Sequence, residues 1–293
     1  MKKYLFLAIK IAFVCGIFVF IFTTQEVTPL SIFEFVRELD PRSVVVWLSF
    51  ASIVKILGIC AGILRWRLLL KGQGIAMPFW YLAKCWFMGR ALGMMVPGTL
   101  GLDGYRLVES SLFTKQPIKC ATVIAVEKLI GFIALGILVF LTLPLGQRLF
   151  EFNTAMLGVM LVVLFGFISV SLLLLFQPRI VQVIAAALPT PARIRGEVNK
   201  LGLAVTAYSG HRGTLLLAVF FGLCVHFAIC LTFFGSAMAM SEGGAEFLDV
   251  LFASPLVIVG SVITPTVSGM GVRAAVFSVL LSDKSGGPPA FLF

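Results

Sequence analysis

Apolar residues in this chain fall in long unbroken runs rather than in alternation. Residues 4–22, 44–64, 120–143, 154–176 and 213–238 each form such a run. Each approaches the ~20 residues a helix needs to cross the hydrocarbon of a bilayer. Polar stretches separate them: 23–42, with Glu26, Glu34, Glu38 and Asp40; 178–211, with Arg179, Arg193, Arg195 and Lys200; and a loop holding Glu242, Glu246 and Asp249. Within the first stretch, Ile32, Phe33, Phe35, Val36 and Leu39 keep a helical spacing, which predicts a short helix lying in the interface. Two further apolar segments are interrupted. Segment 78–113 carries Pro97-Gly98, with Gly101 and Gly104 close behind, and segment 248–281 carries Pro265, Gly269 and Gly271. Proline removes a backbone donor and clashes with the preceding turn, and glycine removes the side chain that favours a helix. In hydrocarbon, the freed backbone groups must be satisfied inside the protein or in a water-filled cavity. Both segments are therefore expected to be broken or re-entrant helices.

The breaks echo one another. Pro97-x3-Gly101 with Arg106 beyond it parallels Pro265-x3-Gly269 with Arg273 beyond it. Corresponding interrupted helices in two parts of a chain point to the central site of a transporter; the competing reading is coincidence among residues common in membrane helices.

Composition sharpens the class. Hydrophobic residues make up 60% and charged residues 12% of 293, and the mean hydropathy is +1.07. These values describe an all-α integral membrane protein, a polytopic bundle forming one domain over 1–293, with no room for a soluble catalytic domain. The six cysteines (Cys15, Cys60, Cys85, Cys120, Cys224, Cys230) are scattered through apolar runs without metal-ligand spacing. They read as small buried hydrophobes, and neither a metal nor a cofactor is expected. No small-residue cleavage site follows residues 4–22, so that run is expected to stay as a span.

The net charge of +10 is unevenly placed. Lys2, Lys3, Arg65, Arg67, Lys71, Lys115, Lys119, Arg179, Arg193, Arg195, Lys200 and Arg212 gather on one set of loops, against Arg37, Arg42 and Arg148 on the other. The positive-inside rule then puts the N-terminus in the cytoplasm of a bacterial inner-membrane protein. That orientation requires segment 78–113 to enter and leave on the same side, as a re-entrant hairpin does. Arg65-Trp66-Arg67 with Lys71 reads as an aromatic and basic anchor at the membrane surface.

The stretch Val96-Pro97-Gly98-Thr99-Leu100-Gly101-Leu102-Asp103-Gly104-Tyr105-Arg106 resembles the Pro-Gly…Gly-Asp…Arg signature of the lysylphosphatidylglycerol synthase transmembrane region, a family of flippase-like membrane proteins. Arg65-Trp66-Arg67-Leu68-Leu69-Leu70, Glu127-Lys128-Leu129-Ile130-Gly131 and Pro265…Gly269-Met270-Gly271 fit the same layout over residues 5–282. The resemblance implies an all-helical domain that moves lipids between leaflets, notably aminoacylated phosphatidylglycerol. Two departures stand out: Gly101-Leu102-Asp103 for the usual Gly-Gly-Asp, and Glu127-Lys128 for Glu-Arg. The aminoacyl-transferring domain of the bifunctional members is absent, so the transferase activity is not carried over and no enzyme is expected.

The charged residues inside apolar segments supply the candidate chemistry. Asp103 and Arg106 are three apart and share a helix face; Asp103 also reads as the cap of a helix beginning near Gly104. Arg106, with Arg90, Lys84 or Arg273, can receive a lipid phosphate through the two-pronged geometry of a guanidinium. Glu127 is expected either to neutralise Lys55 or Lys84 or to couple to protons or substrate. His226, alone in its span, reads as a buried, hydrogen-bonded histidine. The expected function is translocation of an anionic or aminoacylated phospholipid through a groove at the two breaks, with membrane lipids as partners and no nucleic acid. The alternatives are a non-catalytic subunit of a lipid or glycan assembly pathway and a membrane-embedded lipid-modifying enzyme.

Overall fold

The computed structural model describes residues 39–93, 100–149, 212–240 and 246–263, together with residues 37, 162, 165–166, 168–173 and 208. Among them no strand occurs, and the protein is an all-α membrane protein. Six helices follow in order among the described residues: α1 Pro41–Gly72, α2 Phe79–Gly93, α3 Leu100–Thr114, α4 Pro117–Leu149, α5 Arg212–Met240 and α6 Phe247–Ile263. Among the described residues, three segments are long and apolar enough to cross a membrane: Pro41–Gly72, Pro117–Leu143 and Gly213–Ala239. The apolar run 4–22, most of 154–176, the basic stretch 178–211 and the second break with Arg273 lie outside the described residues.

α1 starts where Asp40 caps it, its carboxylate accepting from the amides of Arg42 at 3.2 Å and Ser43 at 3.0 Å. It then runs past Arg65-Trp66-Arg67 instead of stopping at the apolar boundary. Its end is a glycine turn: Gly74 takes φ +73, and the amide of Ile75 reaches back to Leu70 O at 3.0 Å.

α1 and α5 form the longest interface of the bundle, and small residues let them approach. A Cβ on Gly58 would lie 2.8 Å from Ala228 Cβ, and one on Gly235 only 3.1 Å from Ala51 Cβ. Near the glycine turn, Gly72 faces Thr214. Partners climb on one helix as they fall on the other, so the pair is antiparallel. Ala51, Gly58 and Gly72 fall on a seven-residue repeat, the period that keeps one seam facing its neighbour. The remaining position of that repeat is Arg65.

α2 and α3 make an antiparallel hairpin. Tyr81 faces Glu109 and Phe113 at its open end. Toward the tip, Gly89 and Gly93 lie against Leu102, and a Cβ on Gly101 would come within 2.6 Å of Gly93 Cα. Each arm has 15 residues, which rise about 22 Å, short of the ~30 Å of hydrocarbon. A short link from α1 leads in, and Lys115, at φ 55 with its amide on Ser111 O at 2.8 Å, turns the chain out into α4. The open end of the hairpin, the end of α1 and the start of α4 thus lie together. The break is narrower than the sequence suggested: α3 already begins at Leu100, so Gly101 and Gly104 are helical. Gly101 serves the close approach of the two arms. Pro97 and Gly98 lie outside the described residues.

Candidate functional site

Helical rise sets the depth of the charged groups. Arg65 is seven residues from the end of α1, Arg106 eight from the end of α3, and Glu127 ten from the start of α4. At 1.5 Å per residue, all three lie about 10–15 Å inside the same end of the bundle. Trp86 of α2 and Gly222 of α5 come to the same level. Four helices therefore deliver side chains to one buried layer, and α5 meets it with the bare backbone of Gly222.

Glu127 is the centre of that layer. It is 5% exposed and holds two arginines, Arg65 Nη2 on Oε1 at 2.9 Å and Arg106 Nη2 on Oε2. A carboxylate taken from water needs such replacement, since attraction compensates for lost hydration only with close, well-directed partners. Arg106 also reaches Asp103 from Nη1, at 3.5 Å. Its guanidinium carbon lies over two indoles, 4.1 Å from the ring centre of Trp66 and 4.7 Å from that of Trp86, contacts that suit a flat, weakly hydrated cation. Lys128 closes the chain of pairs on Asp103 Oδ2 at 2.6 Å.

Small residues make the layer possible. Arg65 fits into the α1–α5 seam because Gly222 of α5 and Gly131 of α4 stand opposite: a Cβ on Gly222 would sit 3.3 Å from Arg65 Nη1. Gly62 does the same for the Trp86 ring, at 2.9 Å. His226 braces the α4–α5 contact. Its Nε2 lies 3.1 Å from Gly131 O, and because a carbonyl only accepts, that nitrogen carries the hydrogen. At the same end of α1, buried Tyr208 donates to Leu69 O at 2.7 Å, and burial raises its phenol pKa, keeping it a neutral donor.

Three expectations need correction. Glu127 pairs with Arg65 and Arg106, not with Lys55 or Lys84, because α1 presents Arg65 at the depth of Glu127, whereas Lys55 is ten residues, about 15 Å, further along. Arg65 and Trp66, expected at the membrane surface, are 8% and 0% exposed. Asp103 sits in the first turn of α3 rather than at the N-cap. Arg106, the expected phosphate ligand, keeps its place in this layer: it is 2% exposed, its Nη atoms engage two carboxylates and its Nε has no hydrogen-bond partner. Lys84 and Arg90 are exposed on the outer face of α2, apart from this network. Arg65, Trp66 and Trp86 are the members that the sequence reading did not place here.

The sequence model described as the lysylphosphatidylglycerol synthase TM region matches residues 7–291, nearly the whole chain. The chain belongs to that family. Membership agrees with the resemblance carried by the Pro97–Arg106 stretch, and it gives this membrane protein a lipid-related role. The buried layer is thus built from the family-like stretches around Arg65, Asp103–Arg106 and Glu127-Lys128. No curated protein and no solved structure matches the chain.

Proposed function

We propose that this protein is a flippase-like carrier that moves an anionic or aminoacylated phospholipid between the leaflets of a bacterial inner membrane. The headgroup travels along the α2–α3 hairpin and the tails stay in lipid. The observation that carries this reading is a surplus of cationic donors at membrane depth. The network joins three cations, Arg65, Arg106 and Lys128, to two carboxylates, Asp103 and Glu127. Arg65 Nε, Arg106 Nε and Trp86 Nε1 are buried with no hydrogen-bond partner, a donor set that a phosphate oxygen would satisfy. Two more cations lead toward it on α2. Lys84 is about 8 Å and Arg90 about 16 Å from the start of the helix by its rise, and both are exposed. A guanidinium facing lipid at that depth would cost several kcal/mol, so Arg90 is better suited to water or a headgroup than to hydrocarbon.

In this reading Lys84 and Arg90 make first contact with the phosphate, and the Arg106 network holds the hairpin in place and completes the site. The N-terminus is cytoplasmic, and the end bearing Lys71, Lys115 and Lys119 faces the cytoplasm. The protein acts as a carrier, not a catalyst; conversion of a lipid by the pure protein, followed by mass spectrometry, would overturn that part. The transport test is translocation of fluorescent phosphatidylglycerol in proteoliposomes, read by chemical quenching of the outer leaflet. Arg90→Ala is expected to slow it on the order of tenfold, the scale of one charge-assisted contact, and Lys84→Ala less. Parental rates in both variants would overturn the headgroup route.

A further inference from the structure

The layer around Glu127 presents hydrogen-bond donors that its own groups leave unmet. In a guanidinium, Nε–H and one N–H of Nη2 lie along the same edge, the edge that a single carboxylate takes with both oxygens. Glu127 does not bind that way. It divides its oxygens between two arginines, Oε1 to Arg65 Nη2 and Oε2 to Arg106 Nη2, and the Nε of each is buried with no hydrogen-bond partner. Trp86 Nε1 is buried and unpartnered as well. The three donors belong to neighbouring side chains. The Arg106 guanidinium carbon lies 4.7 Å from the Trp86 ring centre, and the two arginines share one carboxylate. They come from three different helices, α1, α2 and α3.

Charge points to the kind of partner these donors suit. Asp103 and Glu127 answer Arg65, Arg106 and Lys128, which leaves the network one positive charge in surplus. A water molecule among three N–H donors brings two hydrogens of its own and no charge. An anion accepts from all three and balances the surplus. Size narrows the choice. Trp66, Arg106 and Glu127 are buried, and the surroundings are close: a Cβ on Gly62 would lie 2.9 Å from the Trp86 ring, and one on Gly222 3.3 Å from Arg65 Nη1. A phosphodiester carries two ester arms that need a way out of the layer, whereas a monoatomic anion carries none. Such an ion sheds its water only for several charged or strongly polar donors. Two guanidiniums and an indole N–H, on the electropositive edge of its ring, are a set of that kind.

We propose that Arg65 Nε, Arg106 Nε and Trp86 Nε1 bind one halide ion in the arrangement of helices described here. The proposal goes beyond the lipid-carrier reading and does not depend on it. Where both hold, halide and headgroup phosphate take the same N–H groups in turn.

The test is the thermal midpoint of the full chain in detergent, titrated with sodium bromide against sodium gluconate at constant ionic strength. The parent midpoint is expected to rise with bromide and saturate, and sodium chloride should act likewise. Trp86→Phe keeps a ring against Gly62 and Arg106 but removes the N–H. It should weaken the apparent bromide affinity on the order of tenfold, the scale of one hydrogen bond to a charged group. Trp80→Phe, at an exposed position of the same helix, should leave that affinity unchanged. Crystals of the parent grown in bromide give a second reading that needs no variant: an anomalous peak is expected beside Arg106 Nε. Equal midpoints in bromide and gluconate, a bromide effect that Trp86→Phe leaves intact, or a bromide peak only outside the layer would overturn the site. A midpoint raised by inorganic phosphate and not by bromide would assign the donors to a phosphate group and overturn the halide. These readings use no lipid substrate, so their failure leaves the carrier reading to its own translocation test.

Discussion

A carboxylate at membrane depth stays ionised only where other groups replace the water it has lost. Glu127 meets that condition through Arg65 and Arg106, and each arginine depends on it in turn. Glu127→Gln leaves two buried cations underpaired and should lower stability by about 3–5 kcal/mol, read as a fall in the thermal midpoint in detergent. Lys128→Gln should shift it far less, because Lys128 is 39% exposed at the rim and water screens its pair with Asp103. A Glu127→Gln midpoint no lower than that of Lys128→Gln would show that the network is not what holds these helices together. Arg106→Lys tests the geometry. Lysine keeps the charge, but it lacks the planar fork that bridges two carboxylates while contacting the rings of Trp66 and Trp86. A loss of about 2 kcal/mol in that variant fits the loss of stacking and one charged hydrogen bond; a parental midpoint would not. At this scale the sequence was half legible. Buried charge is costly wherever it occurs, so Glu127, Asp103 and Arg106 stand out in any apolar run. Their partners do not, because pairing depends on which helices meet at which depth. Arg65 reads as a surface anchor beside Trp66 and Arg67 until α1 is seen to continue to Gly72.

Helices of this length meet closely only where side chains are small, and the α1–α5 seam shows how little slack remains. Gly58→Ala would bring its new methyl within 2.8 Å of Ala228 Cβ, closer than carbon atoms pack, with helix backbone behind both. The expected result is a destabilised bundle that Ala228→Gly restores, because the second change deletes the opposing methyl. Independent, additive effects in that double-mutant cycle would mean the seam is not in contact there. Gly104→Ala is the control: a Cβ there meets nothing within 4 Å, and alanine is about 1 kcal/mol better than glycine inside a helix, so the midpoint should hold or rise. Apolar run length located the three long helices to within several residues, because crossing hydrocarbon constrains length and composition together. It could not place their ends, which follow from local caps: Asp40 at the start of α1 and Gly74 beyond its end. The repeat of Ala51, Gly58 and Gly72, with Arg65 in the same register, is a signal in the sequence that pointed to the buried arginine. Reading Pro97-Gly98-x-x-Gly101 as one break is too broad, since glycine serves either to interrupt a helix or to let two helices touch, and Gly101 does the latter.

The bundle as a whole has two unlike ends. One gathers the end of α1, both outer ends of the hairpin, the start of α4 and the start of α5; the other holds the start of α1, the end of α5 and the start of α6. Exposed Lys71, Lys115 and Lys119 all belong to the first, while Asp40 and Glu246 belong to the second. Cations flanking spans are retained on the cytoplasmic side, so the first end should be the inner one. Because the hairpin returns to the end it left, its two bases must share a side, and this separates a re-entrant pair from a single crossing within 78–114. In a cysteine-free background, Pro78→Cys and Lys115→Cys should both react with an impermeant maleimide only after the inner face of the membrane is opened. Glu246→Cys should react in intact cells. Gly93→Cys, near the tip but about 22 Å from the open end by the rise of its arm, should stay protected from the outer side, since arms of 15 residues stop short of it. Opposite labelling of Pro78→Cys and Lys115→Cys would mean that only one arm crosses. The cations on α2 would then lie in a spanning helix, and the route proposed for the headgroup would have no open end from which to start.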